Sequence, residues 1–277
     1  MDVLGRGGPI EQAGRRALIG LVLAGFLLPI VLIVLTSFKT RVATLEGSPF
    51  GFSRPTLENY GHLFSEYDFA HFARNSAIAS VVSTAIALGL GALAAYGLAR
   101  YRFRGSEALA FWVLSLRMTP AIASIIPLFI MLRAARLVDS LPGLVIVYVV
   151  ANLPLVIWMM KGFFEDLPID MEESALIDGN TRFGAFVDVA LPLAAPGLAA
   201  TAILTFVFTW NEFLFALILT GRNTQTLPVA VTLFVRETGI DWGYMTAAAS
   251  LMMLPMVIAT LFVRRGLARG LTMGAVK

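Results

Sequence analysis

Residues 167–197 read LPIDMEESALIDGNTRFGAFVDVALPLAAPG, an acidic stretch that lies between two long apolar runs. Asp170 is placed to cap a short helix, and Glu173 follows three residues later, which is the spacing of a capping box. Asp178-Gly179 then predicts a turn, because glycine adopts positive φ without a steric cost. The first half of the stretch therefore predicts a short helix that ends in a tight turn.

The second half of the stretch predicts another helix and then a break. Thr181 can cap a helix that runs to about Ala190, and Pro192 and Pro196 break or kink the chain before the next apolar run. A two-helix segment with an acidic rim suits docking into a partner protein better than crossing lipid. An ordinary solvated hairpin between two membrane helices explains the same local features equally well.

The composition places the chain in a membrane. Of its 277 residues, 58% are hydrophobic and only 14% are charged, and the mean hydropathy is +0.80. These values are typical of a polytopic membrane protein in contact with lipid. The absence of cysteine excludes disulfides and thiolate metal sites. His62 and His71 lack neighbouring ligands, so no metal site is expected. Scattered Arg and Lys residues argue against a nucleic-acid partner.

Six apolar runs, each about long enough to cross ~30 Å of hydrocarbon, predict an all-α integral membrane protein with six transmembrane helices. The predicted core includes the acidic loop, taken as 162–196, and an outer loop at 221–242. An excess of Arg and Lys on the side of the termini predicts that both termini are cytoplasmic. The remaining predicted segments are an N-terminal tail (1–16), a first membrane helix (17–38), an outer loop (39–74), the core itself (75–265) and a C-terminal tail (266–277).

Two of the runs carry features beyond hydrophobicity. In the second run a small residue recurs every fourth position, at Ser83, Ala87, Gly91 and Ala95, a stripe that lets membrane helices approach closely. The third run contains Arg117, which lies ~14 Å from its start. It also contains Pro120 and Pro127, and these two prolines predict a bent or broken helix. A cation at that depth usually faces protein or a water-filled path. A structural arginine paired with backbone carbonyls is the alternative.

The sequence contains no catalytic constellation. It has no HExxH, no GxxxxGK[ST] phosphate loop and no plausible Ser/His/Asp set, which disfavours a membrane-embedded enzyme or scaffold. A transport protein of this kind uses either an ion gradient or a partner that hydrolyses ATP. Gradient-driven carriers usually show internal repeats and intramembrane ion ligands. Here no repeat is evident and Glu212 is the only intramembrane acid, so the docking segment favours an ATPase partner.

Several motifs resemble one family of transport proteins. Glu173-Ser174-Ala175, Asp178-Gly179 and Leu191-Pro192 resemble the "EAA" loop of bacterial ABC importer permeases, with serine as a small-for-small departure at the middle position. The ending GLTMGAVK, residues 270–277, resembles the tail of the smaller permease of maltose-type carbohydrate importers. Four more motifs look like that subfamily: Pro55–Tyr60, Trp210–Glu212, Thr226–Pro228 and Asp241–Gly243.

This resemblance implies a type I ABC importer permease fold in the bacterial cytoplasmic (inner) membrane. The implied partners are a second permease subunit, two ATPase subunits, an extracytoplasmic solute-binding protein and membrane lipid. No cofactor is expected in this chain, since ATP and magnesium would bind to the ATPase subunits. The solute stays open among oligosaccharides, polyols, sugar glycosides and glycerol phosphodiesters.

The resemblance also implies sets of functional residues. The coupling loop, which would be seated in the ATPase, comprises Glu172, Glu173, Ser174, Ala175, Asp178, Gly179, Arg182 and Pro192. The contact with the binding protein comprises Thr226, Leu227, Pro228, Asp241 and Trp242. The tail at the ATPase interface comprises Gly270, Leu271, Thr272, Gly274 and Lys277. The hypothesised path comprises Arg117, Asn152, Asn211 and Glu212, since polar groups in a wet pore exchange hydrogen bonds with sugar hydroxyls at little net cost.

Overall fold

The computed structural model describes residues 9–45, 55–101, 103–237 and 239–273, which are almost entirely helical. The helices and strands, in chain order, are α1 (Pro9–Ser37), α2 (Arg41–Leu45), α3 (Glu58–Ser65), α4 (Phe69–Arg100), α5 (Ser106–Ser115), a 3₁₀ turn (Leu116–Met118), α6 (Ala121–Ala134), α7 (Leu141–Glu165), α8 (Asp170–Ile177), α9 (Arg182–Gly184), a π-helical segment (Ala185–Ala190), α10 (Leu191–Leu193), α11 (Ala195–Trp210), α12 (Leu214–Leu219), α13 (Leu227–Ala230), a second 3₁₀ turn (Val231–Phe234), β1 (Val235–Arg236), β2 (Gly239–Ile240) and α14 (Trp242–Met273).

Four described helices, α1, α4, α7 and the first part of α14, are each long and apolar enough to cross a membrane. Two bent pairs raise the number to six if each pair forms one span. The chain turns by 93° between Met118 and Ala121, and by 76° between Leu193 and Ala195. Proline explains both bends, because Pro120 and Pro196 lack the N–H that would continue the preceding helix. Counted in this way, the six expected spans correspond to four unbroken helices and two bent pairs.

Several helix ends differ from those predicted from the apolar runs. Helix α4 begins at Phe69, although the run was expected to begin near Asn75, because Phe69 and Phe72 are buried and extend the packed face. The predicted outer loop 39–74 contains α2 and α3. Helix α14 continues to Met273, beyond the expected start of a tail at 266. Residues 266–273 contain leucine, alanine and arginine, which are good helix formers.

The chain divides into two compact units, of which the larger comprises Phe69–Ala230 and Leu254–Lys277. In the larger unit α4 packs along α7, and α11 packs against both. The small-residue stripe of α4 lies in this contact, where Ser83, Ala87 and Ala95 are at most 1% exposed. Close packing of membrane helices through this stripe is therefore confirmed.

The smaller unit comprises Met1–Asp68 and Val231–Met253. Within it the Asn59 amide donates to the carbonyls of Ser37 and Lys39, at 2.8 Å in both cases. These bonds fix the end of α1 against α3. The two short strands form an antiparallel hairpin in which Val235 faces Ile240.

Replacing Gly91 with valine is expected to destabilise the protein by about 1–3 kcal/mol, as overpacking of a close contact does. A Cβ atom at this position would lie 2.5 Å from Cγ1 of Val156, which itself is fully buried. The measurement is thermal unfolding of the purified protein in detergent. Gly89→Val is the matched control, because nothing lies within 4 Å of a Cβ there. Equal destabilisation by both variants would contradict this packing.

Candidate functional site

Helix α8 forms within the acidic stretch, one residue earlier than its predicted Asp170 cap requires. It begins at Asp170, and its N-cap is Ile169, whose carbonyl accepts from the N–H groups of Glu172 (2.9 Å) and Glu173 (3.1 Å). The predicted Asp170 cap and capping box are therefore wrong. Asp170 lies in the first turn instead, where a carboxylate still interacts favourably with the helix dipole.

The turn after α8 forms as the sequence predicts. Gly179 has a φ of +91°, and its N–H donates to the Leu176 carbonyl at 3.1 Å. The Asn180 N–H donates to the Ala175 carbonyl at 3.0 Å, so the last carbonyls of the helix have partners. Thr181 then caps α9, because its hydroxyl accepts from the Gly184 N–H at 3.0 Å. Both the predicted turn and the predicted Thr181 cap are confirmed.

Glu172 is buried and ion-paired, a feature that the sequence did not reveal. Its Oε1 lies 2.7 Å from Nη2 of Arg100 and accepts from Nε of the same guanidinium at 2.9 Å. Its Oε2 accepts from the Tyr96 hydroxyl at 2.6 Å. The side chains of Arg100 and Glu172 are only 8% and 7% exposed. Arg100 also donates to the Leu167 carbonyl at 3.2 Å, so the end of α4 holds the acidic stretch at two points.

The opposite face of the acidic stretch is exposed and partly apolar. Ile177 is 86% exposed and Phe183 is 67% exposed, and Ala175 is half-buried. These two large apolar side chains therefore lie uncovered by the rest of the chain. The predicted coupling residues that are exposed are Glu173, Ser174, Asp178, Gly179, Arg182 and Pro192.

Arg117, a predicted path residue, contacts α7 and α11. Its Nη1 donates to the Ala151 carbonyl at 3.2 Å, and its Cζ lies 4.6 Å from the centroid of the Phe208 ring. These contacts match the structural alternative, in which the guanidinium is paired with a backbone carbonyl. A cation over an aromatic ring adds a further attraction.

The other three predicted path residues surround the last turn of α11. Asn152 is buried and donates to the Thr209 hydroxyl at 3.3 Å. The Glu212 carboxylate accepts from the N–H groups of Phe215 (2.9 Å) and Ala216 (3.1 Å) at the start of α12. Glu212 precedes Phe213, the N-cap of α12, and its carboxylate supplies acceptors for the first turn of that helix, a role that its sequence position did not reveal. Asn211, between the two helices, is exposed.

Thr226 and Leu227 were expected to face a partner, but each is only 2% exposed. The Leu227 N–H donates to the Ser76 hydroxyl at 2.7 Å. The Asn75 amide donates to the carbonyls of Gln225 (3.0 Å) and Asn223 (3.1 Å). Thr226 and Leu227 therefore lie in the base of the loop, and the first turns of α4 hold this base in place.

Asp139 fixes the start of the same loop. Its Oδ1 accepts from the Gly221 N–H at 2.8 Å and from the Thr224 hydroxyl at 2.5 Å. Asp139 adopts a φ of +53°, which non-glycine residues adopt rarely and aspartate more readily than most. The loop base is therefore a defined structure with side-chain anchors on both sides.

In the smaller unit, Asp241 and Trp242 play different parts. Asp241 pairs with Arg41 (3.3 Å) and Arg236 (3.4 Å) and is 11% exposed. Trp242 is 48% exposed, and Val235 on the hairpin is 54% exposed. The exposed aromatic and aliphatic side chains are available to a partner, whereas Asp241 braces the hairpin from within its own unit.

Of the predicted tail residues, Gly270, Leu271 and Thr272 lie in α14, and Gly274 and Lys277 lie outside the described residues. Across the described ranges, no three His, Asp or Glu side chains are grouped so that they could hold a metal ion.

The protein is a helical membrane protein with broken spans. Its exposed helix–turn–helix is attached by an ion pair to a membrane helix, which is the architecture of a transport permease. The chain belongs to the family described as binding-protein-dependent transport system inner membrane component, whose model matches residues 87–273. The resemblance to ABC importer permeases is thereby confirmed, and a gradient-driven carrier is not favoured.

Relatives with named transport systems match nearly the whole chain. The trehalose transport system permease protein SugB of Mycobacterium tuberculosis is 38% identical, with 93% of this chain and 94% of SugB covered. The trehalose/maltose transport system permease protein MalG of Thermococcus litoralis is 35% identical, with 96% and 99% covered. A chain of a bacterial ABC transporter that imports the acidic polysaccharide alginate shares the fold, with a TM-score of 0.80, 23% identity, and 96% and 99% covered.

Proposed function

We propose that this ABC permease imports a sugar or sugar-like solute, such as an oligosaccharide, glycoside or polyol, that a solute-binding protein delivers. The names of the relatives support this class of solute, since trehalose and maltose systems both match nearly the whole chain. The binding protein is supported by the family, whose members serve binding-protein-dependent transport. A second permease subunit would complete the translocation path.

The proposed transport mechanism rests on the different environments of the two sides of the acidic stretch. One side is exposed and bears Ile177 and Phe183, and the other side is fixed to α4 through Glu172. We propose that an ATPase subunit binds the exposed side and that ATP and magnesium bind to the two ATPase subunits. Closure of the ATPase pair would then displace α8 together with the helix to which it is anchored.

The orientation follows from this proposal. An ATPase is cytoplasmic, so α8 and both termini would face the cytoplasm, and the 39–74 and 221–242 loops would face outward. The exposed Trp242 and Val235 would then be available to the binding protein. Thr226 to Pro228 would hold residues 221–230 against α4. The tail from Gly270 to Lys277 would lie at the ATPase interface.

The proposed path passes the break between α11 and α12. Asn211 is the exposed polar residue there, and it is the residue that we assign to direct contact with solute hydroxyls. Arg117, Asn152 and Glu212 would shape the path by holding Ala151, Thr209 and α12 in place.

Co-expression of this chain with a second permease, an ATPase and a solute-binding protein, followed by purification and an ATPase assay, tests the function. We expect a stable complex whose ATPase rate rises with binding protein loaded with trehalose, maltose or an alginate oligosaccharide. The sugar that stimulates most would name the cargo. A chain that purifies without an ATPase, and whose transport in vesicles stops when the proton or sodium gradient collapses with ATP held constant, would refute the proposal.

Glu212→Ala is expected to lower transport, because it removes the carboxylate that accepts two backbone N–H groups at the start of α12. Loss of such a cap costs about 0.5–2 kcal/mol. Glu212→Gln keeps one acceptor oxygen and is expected to retain most of the uptake. The measurement is uptake of labelled sugar into vesicles. If the glutamine variant is as inactive as the alanine variant, the negative charge itself acts in the path and the capping role is insufficient.

A further inference from the structure

Helix α4 holds the base of the 221–230 loop with its first turns. Ser76 accepts from the Leu227 N–H, and Asn75 donates to the carbonyls of Asn223 and Gln225. His71, one turn earlier, bonds to the Asn223 carbonyl at 2.7 Å. Asn75 and Ser76 are 1% and 2% exposed. Because these groups are buried, the loop cannot shift relative to α4 without leaving polar atoms unpaired.

The last turns of the same helix hold the coupling loop. Tyr96 donates to one oxygen of Glu172, and Arg100 binds the other oxygen and the Leu167 carbonyl. The Tyr96 ring also packs against Phe164 and Phe186, at centroid distances of 5.5 and 4.8 Å. The coupling loop is therefore attached to α4 through an ion pair, hydrogen bonds and an aromatic cluster.

The helix between these two ends has the features of a stiff connection. It is 32 residues long, which corresponds to ~48 Å. Among the described helices that could each cross a membrane alone, α4 is the one without an internal proline, whereas α1, α7 and α14 contain Pro29, Pro154 and Pro255. Sharp bends in helices arise mostly at proline. Close packing of its small-residue stripe on α7 further restricts bending.

We propose that α4 is the mechanical link between the 221–230 loop and the coupling loop, with Ser76 and Asn75 as positioning residues at one end and Tyr96 and Arg100 at the other. This inference rests on the proposed function, in which a binding protein acts on the outer side and an ATPase on the cytoplasmic side. Docking that displaces the loop base moves α4 as a rigid body, and α4 carries the coupling loop with it. The same attachment transmits ATPase closure in the opposite direction, since coupling between two sites is reciprocal.

A double-mutant cycle on Ser76→Ala and Tyr96→Phe tests the link in the assembled complex. Each change removes one hydroxyl oxygen at one end of α4, and the two sites are ~30 Å apart along the helix. The measured quantity is the ratio of the ATPase rate with loaded binding protein to the rate without it. Trehalose is the first sugar used to load the binding protein. Each single variant is expected to lower this ratio about 2- to 10-fold, the size of one hydrogen bond's net contribution.

The double variant distinguishes a link from two local defects. If the two changes act independently at this separation, their fold-reductions in the ATPase ratio multiply. If α4 links the two ends, releasing one end already removes the coupling, so the second change lowers the ratio little further. The double variant is therefore expected to match the more severe single variant. Leu90→Ala is the control in the middle of α4, where the side chain is 53% exposed, and it is expected to leave the ratio unchanged.

The outcomes separate this inference from the proposed function. A wild-type complex without any stimulation by the loaded binding protein, for every sugar tested, contradicts the proposed function. Stimulation in the wild type combined with a multiplicative double variant, or with an unaffected single variant, overturns the link alone. If Tyr96→Phe or Ser76→Ala fails to assemble, His71→Phe and Arg100→Lys form a second pair at the same two ends, judged by the same criterion.

Discussion

Replacing Arg100 with leucine is expected to destabilise the permease by about 3–5 kcal/mol, the usual cost of removing one partner of a buried ion pair. The Glu172 carboxylate would stay buried, with the Tyr96 hydroxyl as its remaining side-chain partner. The acidic stretch would also lose the bond from Arg100 to the Leu167 carbonyl. Both losses act on the segment that we propose to dock into the ATPase, so transport should fall together with stability.

Thermal unfolding of the purified complex measures the effect, and a second substitution identifies its cause. In the double variant Arg100→Leu with Glu172→Gln, no unpaired charge is buried and an acceptor for Tyr96 is kept. This double variant is expected to recover at least half of the lost stability. Arg104→Leu is the matched control, because Arg104 is exposed in the turn that follows α4. An equal loss for Arg104→Leu, or no recovery in the double variant, would contradict the buried pair.

Gly179→Leu is expected to abolish transport while leaving insertion into the membrane intact. The reason is the backbone, since Gly179 has a φ of +91° and nothing lies within 4 Å of a Cβ there. A leucine in this conformation costs on the order of 1–3 kcal/mol, and the turn would rearrange to relieve the strain. Rearrangement would move the exposed Ile177 relative to Phe183 and disrupt the surface for the ATPase.

Uptake of labelled sugar and the amount of protein in the membrane fraction together measure this effect. Gly179→Asn is expected to retain most of the uptake, because asparagine tolerates the left-handed region better than other residues. Gly162→Leu is the control for size alone, as Gly162 is exposed and has open space around it. Normal uptake in Gly179→Leu would remove the argument that this turn positions the docking surface.

Features that depend on a few neighbouring residues were predictable. The Asp178-Gly179 turn, the Thr181 cap, the broken third run and the close packing through Gly91 all follow from local stereochemistry or from the repeat of small residues. Of the two prolines that predicted the break, Pro120 forms it and Pro127 lies inside α6. The position of the α8 cap was predicted one residue too late, because the carbonyl of Ile169 serves the first turn and the Asp170 side chain is not needed. Helix ends depend on such small differences in free energy between neighbouring caps.

The sequence by itself determined the class of this protein, its membrane location in the inner-membrane family, and the loop that marks it as an ABC permease. Only the tertiary structure decided which polar groups meet. Arg100 and Glu172 are 72 residues apart in the chain, and Ser76 meets Leu227 across 151 residues. No local pattern pairs such groups, because their proximity depends on how α4, α7 and the loops pack. Glu172 and Leu227 were expected at the surface, but both are buried at these contacts and attach their loops to α4.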